Sequence, residues 1–488
     1  MKTPMAALCA AIGLAAGTPD GALLKAEVAK AYPSLRYVER YRRAFPAEAQ
    51  GEVFWRPGSA SPCITGERSL TCALTALEDQ HVALIGAKAG RTETPGLLFR
   101  TASNGSVIVW RVFGPALGVA VEEGDQVLAI EGQDARAWLR RAAALTFGGQ
   151  RRGRYAEAAT ELGLATAAVH RVAGLQGRLR LRLHRADGLE RLASLPYRPM
   201  DGNLAQALSQ AVDRSDLPAR FEGGRLHVAT LRLGAFAPQY DEAFIAASDA
   251  ASAKGASDDD AMLAGYGAVV RAFIAKADGE AAGADVLVLD LRGNLGGFDR
   301  EARLLADAFA PKPSPATFDL FAGPRPGSVR LVEERTDLSC GHRESRIPLV
   351  VLTDAGTRSA GEFMASWLWA SGAAVVGERT VGAGGGFEFG SLEGLALPDC
   401  GCTVRLSGNF TLFDPSGTLR AGEQPEGPLV ELVARDGFAP SRSRPFAIQG
   451  AGLRPDLTLA TGLADLRDGG RAALVKALLA LKSEGRLR

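Results

Sequence analysis

Residues 284–298 read ADVLVLDLRGNLGGF, and how this stretch is taken decides the fold class. Val286 to Leu289 form an apolar run without alternation, too short for a helix and closed by aspartate and glycine. A strand with one wet face alternates, whereas a continuous run reads as a strand buried on both faces, the habit of parallel sheets. The helical stretch EARLLADAFA (301–310) follows directly. The same strand–turn–helix order recurs in IPLVVLTDAGTRSAGEFMASWLWASG (347–372), and AAVVGERTVGAGGG (373–386) supplies a third buried strand with a glycine-rich exit. Three such units predict an α/β core.

The 488 residues are 47% apolar, enough for several domains with cores of their own. Basic and acidic residues number 56 and 55, and no basic stripe interleaved with aromatics occurs, so nucleic acid is not an expected partner. Residues 1–17, MKTPMAALCAAIGLAAG, carry one lysine, a small apolar stretch and an Ala/Gly-rich end. They read as a short secretory signal peptide, with a buried N-terminal helix as the alternative. Export to the periplasm or medium is the expectation, and no later apolar run is long enough to span a bilayer. An exported chain permits disulfides. Cys63 and Cys72, bracketing CITGERSLTC, are the first pair to expect, and Cys340 with Cys400 or Cys402 the second. A zinc site from Cys340, His342, Cys400 and Cys402 is the weaker alternative, because the spacing is not that of zinc motifs.

Composition divides the rest. Residues 18–90 contain helical stretches (GALLKAEVAKAY, RYRRAFPAEAQ) and read as a helical N-terminal cap. Residues 91–195 give short strand-like runs broken by Gly and Asp turns, an Arg/Ala-rich helical stretch at 135–170, and the alternating GRLRLRLHRADG. Residues 196–488 hold the α/β pattern, with one or two helices over 241–278 separated by a surface loop AKGASDDD, and an amphipathic helix RAALVKALLALK near the end.

Function in open α/β sheets collects where strands end and helices begin. Ser359 opens SAGE, and Ser-x-x-Glu ahead of an apolar run is the capping-box pattern, with Glu362 as its partner. The same place suits a nucleophile, provided a base takes its proton and donors hold an oxyanion. Gly296 and Gly297, in DLRGNLGG just past the first buried strand, allow backbone N–H groups to approach a substrate closely, and the Ala360 N–H faces the same kind of space.

Four stretches in this order, VLVLDLRGNLGG, TRSAGE, VVGERTVGAGG and GAGLRPDLTL, resemble the C-terminal processing peptidases and the related tricorn core peptidases. VEEGDQVLAIEGQDA (121–135) resembles a PDZ signature, and GLLF (96–99) its carboxylate-binding loop. The resemblance implies a crotonase-like α/β core, mixed α+β overall, with an inserted PDZ-like β-rich domain and the helical cap. It implies a serine endopeptidase acting on polypeptides through an acyl-enzyme, without metal or cofactor. Ser359 is then the nucleophile, and the N–H groups of Gly297 or Gly296 and of Ala360 form the oxyanion hole.

The base separates two branches. Where the processing branch has a lysine, this chain has Ala383, and Arg379 nearby stays protonated. The tricorn-like branch uses a histidine ahead of the PDZ domain, and His81 in LEDQHVAL (77–84) resembles that stretch, with Gln80 in place of its serine. A neutral imidazole suits general-base work near neutral pH. Some relatives place an orienting glutamate where Gln449 stands here. That departure keeps open a second function, a peptide- or ligand-binding relative that retained the fold and lost turnover.

Overall fold

The computed structural model describes residues 92–114, 121–144, 146–166, 177–334, 347–386 and 402–487, with shorter stretches within 23–44, 74–85, 170–175, 341–343 and 394–398. The stretch 1–17, Cys63, Cys72, Cys340, Cys400 and the Cys402 side chain lie outside the described residues. The chain forms two compact units, one of residues 1–201, 317–334 and 381–452, the other of 202–316, 335–380 and 453–488. Residues 196–488 are thus divided between both. Among the described residues no helix is long and apolar enough to cross a membrane.

In the first unit an antiparallel sheet runs in the order Leu97–Thr101, Val107–Val112, Gln126–Ile130, Arg178–His184 and Glu190–Pro196. Alternation in RLRLRLH buries every leucine and exposes the arginines, as a sheet with one wet face requires. The leucines join Val109, Trp138 and Leu162, so the helices Ala135–Ala143 and Arg151–Gly163 close the dry face. A second antiparallel sheet contains Asn409–Asp414, Ala316–Ala322 and Ser328–Glu334. The helix Leu35–Ala44 is tied to this unit by Tyr37, whose hydroxyl donates to the Gln449 carbonyl at 2.5 Å, and by Tyr41, which donates to the Gly450 carbonyl at 2.8 Å.

The second unit is the α/β core. Its sheet runs Arg220–Gly223, Leu226–Arg232, Val286–Asp290, Leu349–Thr353, Ala374–Gly377 and Leu457–Thr458. Every neighbouring pair after the first is parallel. Val286–Asp290 and Leu349–Thr353 are buried at every position, as their unbroken apolar runs predict. Two helices, Glu242–Ser252 and Asp258–Ala281, occupy 241–278. The expected loop between them is shorter than AKGASDDD. Ser257 caps the second helix by accepting the Asp260 N–H, and the three aspartates form its first turn, where the helix dipole favours negative charge.

Candidate active site

Val286–Asp290 and Leu349–Thr353 are adjacent parallel strands, so their C-terminal ends open side by side. One leads through 291–298 into the helix Asp299–Phe309, the other through 354–359 into Ala360–Ala370. Side-chain acceptors stitch the two turns together. Asp354 Oδ1 accepts the N–H groups of Gly293 (2.7 Å) and Gly356 (2.9 Å). Thr357 Oγ1 donates to the Leu291 carbonyl at 2.9 Å, and the Arg358 N–H donates to the Asn294 carbonyl at 3.2 Å.

Gly296 and Gly297 are both at positive φ, 80° and 133°. A Cβ on Gly296 would lie 2.7 Å from Ser359 Cβ, and one on Gly297 would lie 2.0 Å from the Phe236 carbonyl oxygen. No other residue fits either place. Their N–H groups have different fates. Gly296 donates to Asn294 Oδ1 at 2.8 Å, so its N–H is already taken. Among the described residues no hydrogen bond is made by the N–H of Gly297 or of Ala360.

Ser359 has φ 50° and ψ −128°, a conformation that costs a non-glycine residue about 1–3 kcal/mol. Glu362 holds it there. This fully buried carboxyl group accepts the Ser359 N–H through Oε2 at 3.2 Å and Thr380 Oγ1 through Oε1 at 2.5 Å. Thr380 Oγ1 accepts in turn from the Leu453 N–H at 2.7 Å. The Glu362 N–H goes to the Ser359 carbonyl at 2.8 Å. A leucine at 362 keeps much of the volume and removes both acceptor oxygens, so both bonds are lost, whereas a glutamine can keep them by accepting the Ser359 N–H and donating to Thr380 Oγ1. On the reading of Ser359 as a nucleophile, Glu362→Leu is expected to lower kcat by about tenfold to a hundredfold, the equivalent of one buried hydrogen bond to Ser359. Its melting temperature should also fall by several degrees, because the Ser359 N–H and the Thr380 hydroxyl lose their acceptor in the core. An unchanged kcat would show that Ser359 keeps its backbone without this grip.

His81 stands in the first unit, directly before the strand Ala83–Ile85. Its backbone N–H donates to Asp79 Oδ1 at 3.0 Å, and the same oxygen is 3.9 Å from His81 Nδ1. Asp79 is fully buried and also accepts the Tyr32 hydroxyl through Oδ2 at 3.1 Å. A carboxylate at that range stabilises a positive imidazole electrostatically without being a hydrogen-bond partner of the ring. Gln449, the position compared with an orienting glutamate, instead accepts the Gly384 N–H at 2.8 Å through Oε1. Ala383 is fully buried.

The other described histidines have other surroundings. His170 is buried against Tyr197, with Nε2 2.9 Å from the Glu161 carbonyl, and burial lowers its pKa. His342 is exposed, and its Nδ1 donates to the Asp307 carbonyl at 3.2 Å. Sequence reasoning did not single out Asn294 or Thr380, and Asp79 entered only as the aspartate of the Leu-x-Asp-x-His pattern that the stretch around His81 resembles, with no role of its own. For Asp79 the signal was present, a carboxylate two residues before the base candidate.

Residues 260–405, a stretch that contains both turns and Ser359, match the model of peptidase family S41. With the α/β fold, that domain defines the chain as a serine-type peptidase. No curated protein sequence matches the chain. Among solved structures, the crystal structure of mature CPAF matches with a TM-score of 0.58 at 14% identity, covering 98% of this chain and 98% of that one. Mature CPAF complexed with lactacystin matches with a TM-score of 0.57 at 14% identity, over 97% and 99% of the two chains. At this identity the likeness is one of fold, and it runs over nearly the whole of each chain.

Proposed function

We propose that the protein is an exported serine endopeptidase in which Ser359 is the nucleophile and His81 the general base, the arrangement of the tricorn-like branch. The observation that carries the reading is Ser359 itself, held at positive φ beside two N–H groups, of Gly297 and Ala360, that have no acceptor among the described residues. Those two donors are the oxyanion hole, and Gly296 supports them by giving its own N–H to Asn294.

In the reaction the Ser359 hydroxyl oxygen adds to a peptide carbonyl carbon while His81 takes its proton. The carbonyl oxygen becomes the anion that the two N–H groups receive. Asp79 favours the imidazolium so formed, and His81 then protonates the departing amine. Water attacks the acyl-enzyme with His81 again as base, which returns Ser359 to its starting state. A lysine base of the processing type has no place here, because Ala383 occupies the corresponding position. Export rests on the signal-like stretch 1–17.

Residues 91–195 are read as a PDZ-like module. A peptide captured by strand addition would pair with the free edge of Leu97–Thr101. That edge is occupied. Gly163 stands so close that a Cβ there would lie 2.1 Å from the Leu97 carbonyl oxygen, and Arg152 donates to the Thr101 carbonyl. Strand addition at Gly96–Phe99 therefore requires the helix Arg151–Gly163 to withdraw.

An active-serine fluorophosphonate probe tests the reading directly. The full chain should be labelled stoichiometrically at Ser359, and Ser359→Ala should not be labelled at all. A folded, unlabelled parent protein would overturn it.

A further inference from the structure

The arginine-rich helices Ala135–Ala143 and Arg151–Gly163 line a cavity that the peptidase chemistry does not use. Its volume is about 630 Å³, and it is bounded by Ser103 to Gly105, by the helix Ala135–Ala143 and by the start of the helix Arg151–Gly163. Arg136, Arg140, Arg151 and Arg152 line it with Tyr155, and among the described residues no acidic one does. Arg152 is fixed by Thr101, to whose Oγ1 it donates at 2.5 Å, and Arg136 donates to Ser106 Oγ at 2.8 Å. Arg140 and Arg151 are exposed and make no ion pair among the described residues.

Three of these four cations stand at helix starts. Arg136 is in the first turn of one helix, and Arg151 and Arg152 open the other. The helix Ala135–Ala143 is capped by the Asp134 carboxylate, whereas the helix Arg151–Gly163 is capped by the neutral Gln150 and has no acidic residue in its first turn. A helix N-terminus carries partial positive charge and disfavours cations. Arg136 and Arg140 also form a like-charge pair at i,i+4. An anion in the cavity relieves all of these repulsions together. Guanidinium forks match carboxylates bidentately; the Arg152 fork is engaged by Thr101, while those of Arg140 and Arg151 have no partner among the described residues. The volume exceeds what a single small anion fills, and Leu139 and Tyr155 add apolar wall for a chain.

We propose that this cavity binds the carboxylate side chains of an acidic polypeptide segment, which, on the peptidase reading above, belongs to the substrate. The site is separate from Gly96–Phe99. The helix Arg151–Gly163 meets Leu97 at its end and Thr101 at its beginning, so the arginines gather at the opposite end of the strand.

The test uses the full chain carrying Ser359→Ala, so that nothing is cleaved, and fluorescence anisotropy of a labelled hexaglutamate peptide. Binding is expected, weakening as salt is raised. It should fall about tenfold or more in Arg140→Glu/Arg151→Glu, which reverses two charge-assisted contacts. Both substitutions lie on exposed helix positions, and a glutamate at 151 suits the helix dipole, so the fold is expected to persist. Equal binding by the parent and the double variant overturns the proposal, as does inorganic phosphate binding at the arginines in place of the peptide.

Cleavage of a short uncharged peptide by the active chain reports on Ser359 independently, and the double variant should leave it unchanged. If that cleavage is absent while hexaglutamate still binds, the peptidase reading falls and the cavity assignment stands. If cleavage proceeds and the double variant does not raise KM for a substrate bearing a run of glutamates, the cavity assignment falls alone.

Discussion

Ser359→Ala is expected to lower kcat on a peptide substrate by about 10⁴ to 10⁶-fold, and His81→Ala by a comparable factor, because in the proposed mechanism each removes one half of the same proton-coupled addition. The informative measurement is the double variant. If Ser359 and His81 act as a unit, losing the second residue costs nothing further, and Ser359→Ala/His81→Ala has the kcat of the worse single variant. Losses that multiply would mean that His81 acts elsewhere, by stabilising the fold or by binding substrate. Asp79→Asn should cost less than either, since Asp79 Oδ1 is 3.9 Å from the His81 ring nitrogen and its shorter bond is to the backbone. The residual rate in the double variant reports what binding and the N–H groups of Gly297 and Ala360 achieve without a nucleophile.

The parts of this site that were legible in the sequence are those built within one strand–turn–helix unit. Burial of Val286–Asp290 follows from a run without polar residues, and the crowded glycines follow from a turn that must pass close to its neighbour. Ser359 is placed by the same local logic, because a Ser-x-x-Glu start fixes where the helix begins. The second function of Glu362 was not legible. Its partner Thr380 is 18 residues further on, across another strand, and only the parallel pairing of Leu349–Thr353 with Ala374–Gly377 brings the two together.

Long-range assembly is likewise invisible to periodicity. Nothing in 317–334 or 381–452 signals that these segments join the unit of residues 1–201. The arginines at 136, 140, 151 and 152 read as an ordinary solvated helical stretch until two helix starts meet at one turn. The aspartates of AKGASDDD read as loop, whereas Ser257 directly before them is a cap and they form the first turn of the helix.

Glu301 provides the other large effect, one of stability. In the helix Asp299–Phe309 it shares a face with Leu304, Leu305 and Ala308, at the i, i+3, i+4 and i+7 spacing of a buried stripe. It is 5% exposed, and Oε2 has no hydrogen-bond partner among the described residues. Burial, with repulsion from Asp241 and Asp213, raises its pKa from 4.5 to about 8. Both neighbours are committed elsewhere as acceptors, Asp213 to the Gly234 N–H and Asp241 to the N–H groups of Ala243 and Phe244.

The direction of the pH effect follows from the raised value. Below about pH 4.5 Glu301 is protonated in both folded and unfolded chains and has no effect on the slope. Between 4.5 and about 8 the unfolded chain ionises it and the folded chain does not, so stability falls as pH rises. Above about 8 the contribution is constant. At pH 7 the cost is on the order of 3 kcal/mol, at about 1.4 kcal/mol per pH unit.

Glu301→Gln keeps the shape and removes the proton equilibrium. It should therefore melt several degrees above the parent at pH 7 to 8, converge with it near pH 5, and show a flatter dependence between. Parallel melting curves across that range would mean that Glu301 ionises alike in the folded and unfolded chains. Because this helix starts two residues after Gly297, which the proposed mechanism places in the oxyanion hole, the variant should also extend activity to higher pH.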